Sequence, residues 1–373
     1  MKRRIDWYAL SFLSLTPILA ILLWSWHFYE NGLSWHNSAM FLFFSVCCAM
    51  SITAGYHRLY AHQTYRAKPW VHYILFFFGT ASFQGSIMKW ATDHRRHHRK
   101  IDSEDDPYSI TKGFWYAHLG WMLLEDPKEY KGRFEKDLAS SKLIAWQHKH
   151  YGMLALLFGF GAPTLLGAVL FADPIGGFLY GGLLRTVFNH HTTFLVNSLA
   201  HTLGRRTYSQ TISARDSWFV ALLTYGEGYH NFHHTFEGDY RNGIQWYHFD
   251  PTKWILWTLS KIGGVDRLQV TSTHSIFKAK LKNQKGELEN LGVTDELFLP
   301  ALDRVEEALQ KWRELSVEYR AKKSDLQNQS REQLKKIKFE MNLARTIFLK
   351  RYYFWLSQWR NLRNSLNVST QRA

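Results

Sequence analysis

The sequence predicts an all-α integral membrane protein, with four transmembrane helices, a cytoplasmic helical cap carrying clustered histidines, and a C-terminal helical hairpin. Three observations lead there: apolar stretches of membrane length, basic residues gathered on one predicted side, and a change of composition near residue 278.

Segment 7–29 contains no charged side chain, and neither do 38–56 and 152–172, while 174–200 contains only Arg185. Each is long enough to cross a hydrocarbon core of about 30 Å as a helix. The spans are placed at about 7–29, 38–56, 152–172 and 176–198. The opening Met-Lys-Arg-Arg lies close to the first span and lacks a small-residue cleavage pattern, so it reads as a retained cytoplasmic anchor. Loops 30–37 and 173–176 contain no Lys or Arg, whereas 57–151 and the chain after 201 hold most of the basic residues. The positive-inside rule then puts both termini, and the histidines, in the cytoplasm. Segment 69–88 is apolar enough to begin a further span, but a crossing there would put His94 and His57 on opposite sides. It is therefore expected to be re-entrant or interfacial, turning at Gly79, Ser82, Gln84 and Gly85.

The net charge of +15 comes with no nucleic-acid module, so anionic lipid or an anionic substrate head group explains it better. Cys47 and Cys48 are adjacent in the second span, which excludes an ordinary disulfide or a four-thiolate metal site and fits a reducing cytoplasm.

Nine histidines fall in four clusters: His57 and His62; His94, His97 and His98; His201; and His230, His233 and His234. A lone histidine at a membrane face is usually an interfacial polar side chain, but four clusters on one predicted face point to metal. Helical spacing brings imidazoles of one cluster about a turn apart, able to share an ion. Nine are too many for one ion, and two ions with four or five imidazoles each account for them. No cluster contains the glutamate of a His-Glu-x-x-His zinc protease or the Glu-x-x-His of soluble di-iron bundles.

The strings Thr53-Ala-Gly-Tyr-His-Arg-Leu-Tyr-Ala-His62, Asp93-His-Arg-Arg-His-His98, Asn197-Ser-Leu-Ala-His201 and Gly226-Glu-Gly-Tyr-His-Asn-Phe-His-His234 resemble the membrane fatty acyl desaturases of the stearoyl-CoA, Δ9 type. The likeness covers roughly residues 30–265, and Asp239-Tyr-Arg-Asn-Gly243 makes it look most like the bacterial branch, hence a bacterial inner membrane. The resemblance implies a di-iron centre held by all nine histidines, with Asn197 completing one iron's surroundings through a water, and O2 as co-substrate. It also makes Asp93, Glu227 and Asp239 candidates for orienting ligand imidazoles, against the plainer reading of surface ion pairs.

Gln84, Trp90 and Thr193 match positions where the family lines a bent acyl tunnel, which implies a cis double bond. Where the animal branch closes the tunnel with Tyr, this chain has Ser45, with Ala49 one turn below. At the head-group end Thr92 replaces an Arg and Phe194 a Trp, leaving Lys149, Arg185 and His148 as phosphate partners. Acyl-CoA is the expected substrate and a phospholipid acyl chain its rival. His190 and His191 stand where the animal branch has apolar or amide residues and are not counted as ligands.

Residues 1–277 are read as the membrane domain and 278–373 as a basic helical extension, with 20 Lys or Arg against 12 Asp or Glu. In the extension Phe298, Leu302, Val305, Leu309 and Trp312 form one helical stripe, and Leu334, Ile337, Met341, Ala344, Phe348 and Trp355 another, with a turn near Ser324 to Ser330. Ile347 to Trp359 mixes aromatic and basic residues, as a membrane surface would suit. The chain shows no haem, iron–sulfur or dinucleotide motif, so the two electrons must come from an external ferredoxin or cytochrome-like donor. A membrane hydroxylase and a metal transporter remain the rival readings.

Overall fold

The computed structural model describes residues 4–124, 134–290, 298–325 and 330–370. It divides into two compact units, Met1–Arg206 with Thr211–Val270, and Thr207–Gln210 with Thr271–Ala373.

Both units are helical, and the first adds one antiparallel pair of two-residue strands, Arg66–Ala67 against Val265–Asp266. Three of its helices are long and apolar enough to cross a membrane: Trp7–Asn31, Trp35–Ala61 and Tyr151–Phe171. Asp6 caps the first by accepting from the Ala9 amide at 2.9 Å. The expected span at 176–198 lies within a helical stretch over 174–198, but Arg185, Asn189, His190 and Thr192 form a buried polar side of it. Those side chains lower its hydropathy, which is why it does not rank with the other three.

Tyr151–Phe171 and 174–198 form a hairpin whose backbones meet at two glycines. A Cβ on Gly167 would lie 2.6 Å from the Asp173 carbonyl oxygen and 2.7 Å from Gly177 Cα. Asp173 itself accepts from the Gly176 amide at 2.7 Å and from Asn37 Nδ2 at 3.0 Å, tying the hairpin to the second span. Gly167→Val is therefore expected to destabilise the protein by about 1–3 kcal/mol, because backbone must move to admit the side chain. A lowered thermal unfolding midpoint in detergent would register this, and an unchanged midpoint would count against the close approach.

Segment 69–88 forms a helix, Pro69–Ala81, and then a tight turn before Ile87–Lys100 begins. At 13 residues the first of these is only roughly 20 Å long, short of a bilayer core. The turn uses Phe83 at φ 56° and Gly85 at φ 90°. Gly79 contributes differently from expectation: it sits inside the helix, where a Cβ would come within 2.5 Å of the Tyr56 ring.

Ser51–Ala61, the last part of the second span, is wound as a π-helix. In an α-helix, residues five apart point roughly 140° away from each other, so the first histidine pair would diverge. With the wider turn the His62 amide donates to the His57 carbonyl at 3.0 Å, and the two rings lie 4.9 Å apart. Such bulges recur at functional sites.

In the second unit, Phe298–Ser324 and Arg331–Thr370 pack along each other, and a third helix, Thr273–Asn290, joins them. The core contains Leu281, Leu302, Val305, Leu309, Trp312, Phe348 and Trp355. The Phe298 side chain and much of the expected turn, 326–329, lie outside the described residues.

Candidate metal centre

The nine histidines come from separate elements: the π-helical end of the second span, helix Ile87–Lys100, the turn Leu199–His201 and the short helix His230–Thr235. They converge as two groups, His57, His62, His94, His98 and His233, and His97, His201, His230 and His234. Within each group one nitrogen from every ring lies within 4.8 Å of the others.

The direction of the ring nitrogens tests whether a metal fits. His57 Nδ1 lies 3.1 Å from Glu227 Oε2, His97 Nδ1 2.9 Å from Asp106 Oδ1, and His98 Nδ1 2.9 Å from Glu237 Oε2. A carboxylate there accepts a hydrogen bond from Nδ1–H, which keeps the proton on Nδ1 and leaves Nε2 with a lone pair. Yet Nε2 of His233 stands 2.9 Å from that of His57 and 3.0 Å from that of His98. His233 can donate to only one of them, so at least one lone-pair collision remains until a cation lies between. Nε2 of His62 and His94 also face each other at 2.9 Å, as do those of His234 and His230 at 3.0 Å. His201 Nε2 is buried with no hydrogen-bond partner among the described residues. The donor set therefore fits two cations.

Burial disfavours the charged form of seven of these rings. Desolvation, reinforced by neighbouring histidines, pushes His62, His94, His98, His201, His230, His233 and His234 well below the usual imidazole range. Glu227 goes the other way. Burial alone would raise it, but His57 and Arg58 draw it down to about 2, so the carboxylate stays charged.

Of the three carboxylates proposed from the motifs, Glu227 reaches a ligand ring. Asp93 pairs with Lys89 at 3.0 Å, and Asp239 with Arg241 at 2.8 Å. Sequence reasoning missed Asp106, Glu237, Tyr108, whose hydroxyl lies 3.2 Å from His94 Nδ1, and Ser213, whose hydroxyl lies 2.6 Å from His201 Nδ1. All four sit outside the helical histidine strings. Only Asp106, followed by Pro107, carried a local signal of a fixed turn.

A cavity of about 390 Å³ runs past His57, His94 and His230. Ala49, Ile52, Phe12 and Leu13 give it apolar walls, and Lys89, Asp93 and Asp6 give it charge. Gln84, Trp90, Thr193, Asn197, Phe194 and His190 also line it, with Gln84 Nε2 donating to Thr193 Oγ1 at 2.9 Å. Ser45, Lys149 and Arg185 are not brought to this wall. Ser45 is buried beside Asn189, which donates to its carbonyl, and Lys149 is exposed. The Arg185 guanidinium, fully buried, donates to the carbonyls of Gly181, Ala81 and Gly159 at 3.0, 2.8 and 2.8 Å, leaving it no reach to a phosphate. His148 bonds Ser86 at 2.7 Å, His191 faces His118 at 3.2 Å, and Thr92 accepts from the Glu135 amide at 3.4 Å.

Membrane-length helices and two converging groups of imidazoles beside an apolar cavity define a membrane protein with a histidine-rich candidate metal site. The chain belongs to the fatty acid desaturase family, whose model matches residues 33–265. It is 43% identical over 241 residues to a probable acyl-CoA desaturase of Schizosaccharomyces pombe, covering 64% of this chain and 50% of that protein. To acyl-CoA desaturase 1 of Saccharomyces cerevisiae it is 38% identical, over 76% of this chain and 56% of the relative. To an sn-1 stearoyl-lipid 9-desaturase of Synechocystis it is 33% identical, over 69% and 78%. The chain thus spans about half the length of the two fungal relatives.

Proposed function

We propose that this protein is an O2-dependent fatty acyl desaturase that forms a cis double bond, at the Δ9 position, in the saturated chain of an acyl-CoA. The observation that carries the reading is the mostly apolar cavity passing directly beside both histidine groups. Its volume of about 390 Å³ lies within the usual range for ligand sites, about 300–1,000 Å³.

The overall reaction takes two hydrogens from adjacent methylenes, and with O2, two electrons and two protons yields the alkene and two waters. Two bound irons would supply the oxidising power, drawn from O2 and an external donor, that no side chain possesses. The protein's own work is orientation. Trp90 stacks on His94 with ring centroids 4.9 Å apart, and the Gln84–Thr193 hydrogen bond closes polar groups on each other across the wall. Both support a fixed bend that presents one carbon pair to the metals. The apolar walls at Phe12, Leu13, Ala49 and Ile52 exclude water from it. The nine histidines would hold the irons, with Asn197 acting through a water. Four spans, including 176–198, would set the termini and the site on the cytoplasmic side of a bacterial inner membrane, where a basic face receives an acidic ferredoxin or cytochrome-like donor.

A phospholipid acyl chain is the second substrate reading, favoured by the name of the Synechocystis relative. Expression in a desaturase-deficient bacterium, with His233→Ala as control, tests the activity. Mass spectrometry should show loss of two hydrogens only with the unaltered chain. A gain of oxygen would make the protein a hydroxylase, and metal uptake by vesicles without a lipid product would make it a transporter. Purified protein given acyl-CoA or phospholipid separately resolves the substrate.

Ala49 offers a narrower test, since it is a small side chain on the cavity wall. Ala49→Phe should shift preference toward shorter chains by about 10-fold or more, because overpacking the wall costs about 1–3 kcal/mol. An unchanged chain-length profile would remove Ala49 from the tunnel.

A further inference from the structure

Helix Arg331–Thr370 has two apolar faces, and the core of its unit uses only one. Ile337, Ala344, Phe348, Tyr352 and Trp355 turn inward. Phe339, Leu343, Ile347 and Phe354 follow one another at helical spacing on another face and are exposed, Phe339 by 68% and Phe354 by 64%. Spacings of four, four and seven residues keep all four within a stripe roughly 80° wide. A row of large apolar side chains left open to water calls for a covering partner.

The charges beside the row indicate its chemistry. Between residues 335 and 351 this helix carries Lys335, Lys336, Lys338, Arg345, Lys350 and Arg351, all exposed, against the single acid Glu340. Lys336 and Lys350 fall on the apolar stripe itself, at the same helical angles as its members. The neighbouring helix Phe298–Ser324 is nearly balanced, with Asp303, Glu306, Glu307, Glu314 and Glu318 against Arg304, Lys311, Arg313, Arg320, Lys322 and Lys323. Large exposed apolar side chains and lysines thus coincide on one face of helix Arg331–Thr370.

We propose that the Phe339–Phe354 stripe docks on an anionic lipid surface, its aromatic and aliphatic side chains entering the acyl boundary while Lys336 and Lys350 meet lipid phosphates. Interfacial helices combine these two elements, apolar insertion and lysine-rich flanks. A chain whose other unit bears membrane-length helices has such a surface at hand. The inference needs only that membrane character and is independent of the desaturase reading.

The test uses the unaltered full chain in vesicles of phosphatidylglycerol and phosphatidylcholine carrying a photoactivated carbene probe on the acyl chain. Peptide mapping should show labelling at Phe339, Leu343, Ile347 and Phe354, with Val317, an exposed apolar residue of the other helix, unlabelled. In phosphatidylcholine alone, or with Lys336→Glu and Lys350→Glu combined, labelling of the stripe should fall about tenfold or more, as two charges lost near an anionic surface predict. Three results would overturn the proposal: an unlabelled stripe when the outward residues Leu19 and Leu22 of the first span are labelled, equal labelling without anionic lipid, or labelling of Val317 to the same extent. Concentration-dependent burial of the stripe in detergent would also overturn it, by identifying a second copy as the partner.

Discussion

Glu227→Gln is expected to lower metal affinity by about 10- to 100-fold while leaving all nine histidines in place. Glu227 is buried and accepts from Asn242 Nδ2 at 2.6 Å and Arg58 Nη2 at 3.1 Å, with His57 Nδ1 also 3.1 Å away. Only a carboxylate can satisfy all three donors, because an amide brings hydrogens of its own. In the variant, an amide N–H facing His57 would drive its proton from Nδ1 to Nε2, the atom that should hold a lone pair for the metal. Arg58 would keep Asp250, 3.0 Å away, so a moderate stability loss of about 1–3 kcal/mol is expected rather than unfolding.

Metal analysis after dialysis against a graded chelator series measures the affinity directly. Retention equal to that of the unaltered protein would show that Glu227 does not set the His57 tautomer. The pH dependence gives a second signature. Because the folded pKa is depressed to about 2, the stabilising contribution is complete above the unfolded carboxyl value of about 4.3 and is lost as pH falls from there toward 2. The glutamine variant should lack that part of the acid-induced loss.

The helical character, the apolar segments and the clustering of the histidines were legible because each rests on a repeating pattern or a local string. Three positions show where such patterns stop. His57 and His62 sit five residues apart, a spacing that brings them together only through π-helical winding, which no hydrophobic periodicity announces. Arg185 in an apolar stretch looked like a functional cation, but its donors go to carbonyls of three segments that only the folded chain brings together. Glu237 and Asp106 reach their histidines from turns, and a loop carboxylate looks the same in sequence whether it faces water or an imidazole. At the cavity the near miss was one helical turn. Ala49 lines the wall while Ser45, one turn away on the same face, packs beside Asn189, a difference of depth along the second span.

The second group of histidines should respond to a residue that touches no metal. His201 is its most weakly anchored member by sequence, yet its Nδ1 lies 2.6 Å from Ser213 Oγ, which donates in turn to Asp102 Oδ1 at 2.5 Å. The other oxygen of Asp102 accepts the Ser213 amide at 2.7 Å. Asp102 holds a left-handed φ of 61°, and its own amide donates to Asp106 Oδ2 at 3.1 Å. Asp106 Oδ1 meets His97. A continuous relay thus runs from His97 through Asp106, Asp102 and Ser213 to His201, fixing two rings of one group from the same loop. Ser213→Ala removes the link that meets His201 and leaves the five-histidine group untouched. On the di-iron reading proposed above, the expected result is selective: iron content near one per chain instead of two after mild chelation, with an altered spectroscopic signature from the loss of a coupled pair. Ser213→Thr, which keeps the hydroxyl, should restore most of the second iron. Loss of both irons together would mean that the substitution acts through the fold, and full retention of both would mean that His201 is held by its backbone alone.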